Sequence, residues 1–411
     1  MKLAEVFALV AGPATDVEFV AYDGSRAGTP GGAVRLELRS PRGVSLMLSS
    51  PGQLGLARAY VAGELDVDGD MYTALSLLAD LGMGHLTARD KVHLAKALAP
   101  YATYRREPPP PEEVRLHGRR HAKNRDGDAI HHHYDVSNRF YEWVLGPSMA
   151  YTCAVFATPD DSLEQAQEEK VDLVCRKLGL KPGDRLLDVG CGWGTMVLHA
   201  VKNYGVTAIG VTLSRQQADF ARQQISDAGL EGQAQVRFQD YRDIPEAGFD
   251  AISSIGLTEH IGSANYPTYF SFLRSRLLPE GRLLNHCITR TDTRSKTQYR
   301  KGFINRYVFP DGELVPIGQI IDVMENENLE VRHQENLREH YALTLREWLA
   351  NLDNHWDEAV QEVGRGKARV WRLYMAASRL GFERNWIQLH QVLAARTDDR
   401  GSAGVPLRPW F

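Results

Sequence analysis

A chain of 411 residues exceeds one typical core, so two domains are the starting expectation. Its 43% hydrophobic and 24% charged content is that of a globular protein, and a formal net charge of −4 gives it no field to draw it to nucleic acid. Four cysteines (Cys153, Cys175, Cys191 and Cys287), with no Cys-x-x-Cys pair among them, argue against a disulfide framework and a zinc site and read as reduced thiols in the cytoplasm.

In chain order, the apolar run Val6 to Val10 is broken by Gly12-Pro13 and is too short for a signal peptide or a membrane span, so any membrane contact is expected to be peripheral. Alternating patterns at Val17 to Val20 and Val34 to Leu38 predict strands, and Leu54 to Ala62 and Tyr72 to Leu81 predict helices. Residues 1–104 thus read as a small α+β module. Residues 105–129 read as a linker: four prolines, Pro108 to Pro111, precede a basic run containing Arg115, Arg119, Arg120, Lys123 and Arg125. Such a run serves either as a solvated spacer or as a contact for anionic lipid headgroups.

From residue 130 to 411 strands and helices alternate. A capping box, Ser162-x-x-Gln165, opens a helix whose apolar face is Val171, Val174, Cys175 and Leu178, and Gly179 ends it. Strands are predicted at Arg185–Val189, Ala208–Val211, Gln235–Phe238, Asp250–Ser254 and Arg282–His286. This is the pattern of a Rossmann-like, doubly wound, largely parallel sheet. About 290–335 the alternation is interrupted by Tyr299, Phe303, Tyr307 and Phe309, which reads as an inserted substrate cover. Thr344 to Ala395 reads as mostly helical.

The first strand of this region ends in Asp188-Val189-Gly190-Cys191-Gly192-Trp193-Gly194. Glycines at alternate positions let a backbone touch a ligand directly. Their spacing is neither the dinucleotide fingerprint nor a phosphate loop. An acid at the strand's carboxyl end suits a cationic, amino-acid-bearing ligand, S-adenosylmethionine. After the second strand, Thr212 and Gln217 can bond hydroxyls. After the third, Asp240-Tyr241-Arg242 offers a polar partner and a flat wall. A second group comprises His131-His132-His133-Tyr134, Tyr151-Thr152-Cys153, Glu259-His260 and His286. Adjacent histidine side chains diverge, which argues against a metal site.

The block from His133 to Phe140, Tyr151-Thr152-Cys153-Ala154, the glycine loop, Thr212-Leu213-Ser214 and Glu259-His260-Ile261-Gly262 together resemble the cyclopropane-fatty-acyl-phospholipid synthase family, which includes the mycolic acid cyclopropane synthases. The likeness is strong over about 130–395. It extends more loosely to the N-terminal region through Leu54 to Leu65, similar to the family's lipid-carrier-like accessory domain.

This resemblance implies a methyltransferase with S-adenosylmethionine and a bicarbonate ion as cofactors. Gly190 and Gly192 would approach the methionine moiety, Tyr134, Tyr151 and Thr152 would close over it, and Thr212, Leu213 and Gln217 would hold ribose and adenine. Tyr241 and Arg242 would flank the adenine. Cys153, Glu259, His286, Ile288 and Tyr341 fall where the family binds bicarbonate, with backbone amides of Cys153 and Ile288 contributing. The implied substrate is the cis double bond of unsaturated phospholipid acyl chains at the inner face of the cell membrane, converted to a cyclopropane. The implied protein is cytoplasmic and peripherally bound, with a homodimer as a candidate assembly. Aromatic faces, with Tyr269, Phe303, Tyr299 and Tyr307 as candidates, would steady a carbocation in a dry site. Close relatives often carry an aromatic residue before the glutamate, where this chain has Leu257-Thr258, and Cys287 beside His286 is also atypical. A methylene or methyl-branched product therefore stays open, as does a small-molecule methyltransferase.

Overall fold

In Val17–Ala21 (β1) and Val34–Leu38 (β3) every second residue is buried, so each strand has one face for a core and one for its surroundings. The structure, a computed structural model, describes residues 1–12, 15–80, 86–102, 107–114, 120–121, 125, 136–291, 302–408 and 410–411. The chain divides into two compact units. One comprises Met1–Arg115, Thr297–Pro310 and Leu352–Leu380, and the other comprises Leu116–Lys296, Asp311–Asn351 and Gly381–Phe411.

In the first unit β1 and β3 pair in parallel, and Arg26–Gly28 (β2) and Leu65–Asp68 (β4) add antiparallel edges in the order β2-β1-β3-β4. Helix Leu3–Ala11 packs on this sheet, with Phe7 stacked on Phe19 at 4.6 Å between ring centroids. Two later segments belong to this unit, although the sequence placed everything after residue 130 with the glycine loop. The reason is polar and local. Arg369, 3% exposed, donates to the carbonyls of Tyr60 (2.7 Å) and Leu65 (3.4 Å) and to Asp66 (3.0 Å). A buried guanidinium is tolerable only with such a set of acceptors. Likewise Glu113 receives Arg58 through two bonds of 2.7 and 2.8 Å, and Tyr307 donates to it at 3.3 Å.

The second unit is built on a seven-stranded sheet of Arg185–Val189 (β5), Thr207–Thr212 (β6), Ala234–Phe238 (β7), Phe249–Ile255 (β8), Leu277–Arg290 (β9), Glu330–Asn336 (β10) and Ile387–Ala395 (β11). The spatial order is β10-β11-β9-β8-β5-β6-β7, and only β11 runs antiparallel to its neighbours. Alternate residues feed two cores. Leu186, Ala208, Val236 and Leu284 meet helices Leu163–Leu178, Thr195–Tyr204 and Arg215–Asp227, whereas Leu187, Val211, Ile252 and Leu283 meet helices Tyr266–Arg276 and Ile317–Asn326. This is the doubly wound fold expected, with the capping box at Ser162 and the left-handed Gly179 (φ +65°) in place.

Two segments depart from expectation. Residues 317–336 do not form a cover. They form helix Ile317–Asn326, which buries Ile320 and Met324 in the core, and edge strand β10. The tail is helical only to Glu383, after which β11 enters the sheet. Its polar centre, His390-Gln391, hid the strand pattern. No described helix is long and apolar enough to cross a membrane.

Candidate active site

The glycine loop leaves β5 toward helix Thr195–Tyr204. The amides of Gly190 and Cys191 both donate to the Val211 carbonyl (2.9 and 3.0 Å), which ties the loop to β6. Gly190, Gly192 and Gly194 all take positive φ (+79°, +54° and +85°), a region costly for other residues. Their surroundings differ. A side chain on Gly194 would meet Ala221 at 2.9 Å, so that glycine permits helix packing, whereas one on Gly192 would enter open space. Gly192 therefore leaves a bare backbone ledge, which fits a ligand lying across it.

Asp188, 2% exposed, accepts from the Ser253 hydroxyl at 2.6 Å. Burial pushes its carboxyl up to about 6, opposed by that hydroxyl and by the charge of Lys170. At the end of β6, Thr212 donates to Gln217 Oε1 (2.8 Å) and accepts from the Ser214 amide (3.2 Å), while Ser214 caps the next helix. Leu213 is half-buried between them. After β7, the buried carboxylate of Asp240 is gripped by Arg242 through Nε (2.9 Å) and Nη2 (2.7 Å). Tyr241 rests edge-on against Tyr269 at 5.0 Å. These residues line the carboxyl ends of three consecutive strands, where open α/β sheets bind ligands.

The second group gathers at the other half of the sheet. Tyr151 lies 5.3 Å and Tyr341 6.0 Å from the fully buried Trp348, measured between ring centroids. The Thr152 carbonyl accepts from Gln167 at 3.0 Å. Cys153 is fully buried, and its thiol donates to the Ala154 carbonyl at 3.1 Å. Burial raises that thiol, which keeps it neutral. The Ala154 amide donates to Thr344 at 2.9 Å, fastening this turn to the helix that carries Tyr341.

Glu259 lies in the first turn of the short helix Thr258–Ile261 after β8. It is 8% exposed and accepts from the Ile288 amide at 2.7 Å, and burial pushes its carboxyl up to about 7. Leu257, two residues earlier, lies where a side chain on Gly190 would touch it at 3.4 Å, so the segment leading into Glu259 packs against the glycine loop. His286, 1% exposed, has Gln391 Nε2 at 3.3 Å from its Nδ1, while its Nε2 is buried without a hydrogen-bond partner. Burial, with the charges of Lys170 and Lys177, holds its protonation well below the usual histidine range.

Among the described residues no hydrogen bond joins Glu259 to His286. Lys170 provides a different link. It is 3% exposed and its charge is coupled to Asp188, Cys153 and His286. Burial pulls its ammonium down to about 8, partly offset by Asp188. Sequence reasoning missed Lys170, Ser253 and Gln391. The signal for Lys170 was present: Leu163, Ala166, Lys170, Val171, Val174 and Leu178 recur at helical spacing, so the lysine occupies a core position.

Tyr134, Tyr299 and His131 to His133 lie outside the described residues, as do Arg115, Arg119 and Lys123 of the basic run. Of the rest of that run, Arg125 binds Asp311 through bonds of 2.6 and 2.8 Å, with Arg120 at 3.4 Å from the same carboxylate. Phe303 and Tyr307 belong to the first unit, where Tyr307 is committed to Glu113. Tyr269 is fully buried with its hydroxyl on Ser254 at 2.7 Å.

The family description "Mycolic acid cyclopropane synthetase" matches residues 121–392. A protein of Mycobacterium tuberculosis named probable fatty acid methyltransferase is 54% identical over 96% of this chain and 94% of its own length. The cyclopropane-fatty-acyl-phospholipid synthase of Escherichia coli is 36% identical, covering 66% of this chain and 68% of that protein. Among solved structures, the mycolic acid cyclopropane synthase CmaA1 complexed with SAH and CTAB superimposes with a TM-score of 0.62 at 31% identity, over 65% of this chain and 97% of that one.

Proposed function

The chain belongs to the mycolic acid cyclopropane synthetase family of S-adenosylmethionine-dependent methyltransferases, and on that footing we propose that it adds a methylene bridge to the cis double bond of unsaturated phospholipid acyl chains. The bound cofactor supplies an electrophilic methyl group. Gly190 and Gly192, together with Asp188, would offer the ledge for its methionine part, Tyr151 and Thr152 would close over it, and Thr212, Leu213, Gln217, Tyr241 and Arg242 would hold ribose and adenine.

The remaining task falls to the protein. An alkene that takes a methyl group becomes a cation, and ring closure requires a proton to leave that methyl. A base in an apolar channel must be uncharged or well supported. Glu259 meets this need: the Ile288 amide supports its ionised form, and a value of about 7 lets it take and release a proton near neutrality. The single observation that carries the reading is this buried carboxylate, held by the Ile288 amide and two residues after Leu257, which packs against Gly190.

Bicarbonate would supply a small anionic base here. Its holders would be Cys153, Glu259, His286, Ile288 and Tyr341. The orphaned Nε2 of His286 fits an anionic acceptor, and the cation of Lys170 favours one. The Ile288 amide is engaged by Glu259, so that carboxylate has to share it. The first unit and the basic run are the proposed route of contact with the inner face of the membrane, with the protein otherwise cytoplasmic. The relatives named fatty acid methyltransferases leave room for a second outcome of the same transfer, in which a hydride shift precedes proton loss and leaves an exocyclic methylene, the precursor of a methyl branch.

The test is incubation of the full chain with unsaturated phospholipid vesicles and labelled cofactor, followed by mass spectrometry and NMR of the acyl chains. A gain of one CH₂ with cyclopropane resonances supports the proposal. Vinylic methylene signals select the second outcome, and an unchanged acyl pool under saturating conditions rejects both.

A further inference from the structure

Strands β9 and β11 place His286 opposite Gln391, and helix Leu163–Leu178 lays Lys177 over the pair. All three are buried: His286 and Gln391 are each 1% exposed and Lys177 is 0%. Lys177 Nζ lies 2.7 Å from Gln391 Oε1 and also contacts the carboxylate of Glu335. Gln391 Nε2 lies 3.3 Å from His286 Nδ1.

The two ends of a glutamine amide look alike in shape, but here their assignment follows from chemistry. Burial lowers the Lys177 ammonium, and its contact with Glu335 opposes that and favours the charged form. An ammonium has donors and no lone pair. It can therefore face only the carbonyl oxygen of Gln391. The amide NH₂ is then turned toward His286, and Nδ1 must accept. A neutral imidazole accepting at Nδ1 carries its hydrogen on Nε2.

We infer that Lys177 and Gln391 are positioning residues that lock His286 in the Nε2–H tautomer, so that it presents a hydrogen-bond donor, and not a base, to an anion in the active site. The tautomer stands on the hydrogen-bond chain alone, whereas its use toward an anion rests on the bicarbonate reading above. Nε2 is buried and without a partner among the described residues, which is the condition an anionic acceptor would relieve. The charges of Lys170 and Lys177 disfavour a protonated ring and favour an anion beside it. The chain also closes one exit. A proton cannot leave through Nδ1, because that atom faces a donor whose own partner is a cation. Proton removal is left to the bound anion and to Glu259.

The experiment uses the full chain carrying ¹⁵N-labelled histidine, with the His286 signals identified by their loss in His286→Gln. Long-range ¹H–¹⁵N spectra distinguish a protonated from an unprotonated ring nitrogen. The expected result is a pyridine-type Nδ1 and a pyrrole-type Nε2, unchanged through neutral pH. A pyrrole-type Nδ1, or a ring that is doubly protonated at neutrality, would overturn the inference. Gln391→Glu places a carboxylate against Nδ1 and is expected to move the hydrogen there, with kcat falling at least tenfold while the dissociation constant for S-adenosylhomocysteine holds within about threefold. Retention of the Nε2–H pattern in a folded Gln391→Glu protein would contradict the locking role. Titration with sodium bicarbonate separates the two layers. A shift of the Nε2 resonance supports the donor role, and an unmoved resonance with the tautomer intact refutes the anion reading alone.

Discussion

The cofactor ledge and the base pocket occupy two halves of one sheet edge and are built in opposite ways. On the ledge most partners are near in sequence: Thr212 with Gln217, Asp240 with Arg242, and the glycine loop on the strand that follows it, with the buried Asp188 on Ser253 as the exception. In the base pocket, partners come from distant segments: Glu259 with Ile288, Cys153 and its neighbour Ala154 with Leu337 and Thr344, His286 with Gln391, and Gln391 with Lys177. The ledge is a set of local turns that can be assembled wherever strands end. The pocket exists only once the whole sheet has formed, because its charges need burial to acquire their values. Affinity for the cofactor and chemistry on the substrate are therefore expected to be separable properties of this fold.

Substitution of Glu259 should separate them most sharply. Glu259→Gln is expected to lower turnover a hundredfold or more, in the range of a lost acid–base group, while S-adenosylhomocysteine affinity by calorimetry changes by less than about threefold. Equal loss of both would merge the two regions. Gly192→Val should act in reverse. A β-branched residue at φ +54° is strained, and its side chain fills the ledge, so cofactor affinity should fall by at least about tenfold. Unchanged cofactor binding by this variant would remove the ledge from the account.

The pH dependence of kcat tests the pocket alone. With the carboxyl of Glu259 at about 7, the ionised base is depleted below that pH, so kcat should fall about tenfold per unit on the acid side and level off above it. The corresponding stability term has the opposite direction. The folded state holds this proton more tightly than the unfolded chain, so the contribution is full below the unfolded value of 4.5. It fades as pH rises through about 7. Denaturant melts of the wild type and Glu259→Gln across that window should show the mutant lacking this decline. The smallest effect is expected from Thr212→Val, which deletes the hydroxyl holding Gln217 and should weaken cofactor binding by about 1 kcal/mol, or roughly fivefold. A loss of turnover at saturating cofactor in this variant would show that the ledge reaches into the chemistry.

The same contrast explains what could be read before folding. Glycines at alternate positions after an apolar strand, a capping serine at 214 and a strand-end acid are local signals, and the parallel sheet followed from their repetition. The residues that complete the pocket left weaker traces. Lys170 and Lys177 sit at core positions of an amphipathic helix, which marks them as buried but not as paired with anything. Gln391 lies in a strand whose polar centre suppresses the apolar alternation, and its value comes from His286 across the ladder. Within the expected cover of about 290–335, the aromatics at its start give the only strong sequence signal, whereas Ile320 and Met324 mark an ordinary core helix. The segment Leu352–Leu380 joins the first unit through Arg369, an ion pairing that no local pattern announces.

The proposed reaction methylates an alkene and then removes a proton from the methyl that was delivered. Its most direct test uses cofactor bearing a fully deuterated methyl group, unsaturated phospholipid vesicles and the wild-type chain, with the acyl product resolved by mass spectrometry and NMR. The expected product is a cyclopropane whose bridging carbon has lost one deuterium to the protein and kept the others. A product that retains the intact deuterated methyl, or an acyl chain that receives no label at all, would contradict it.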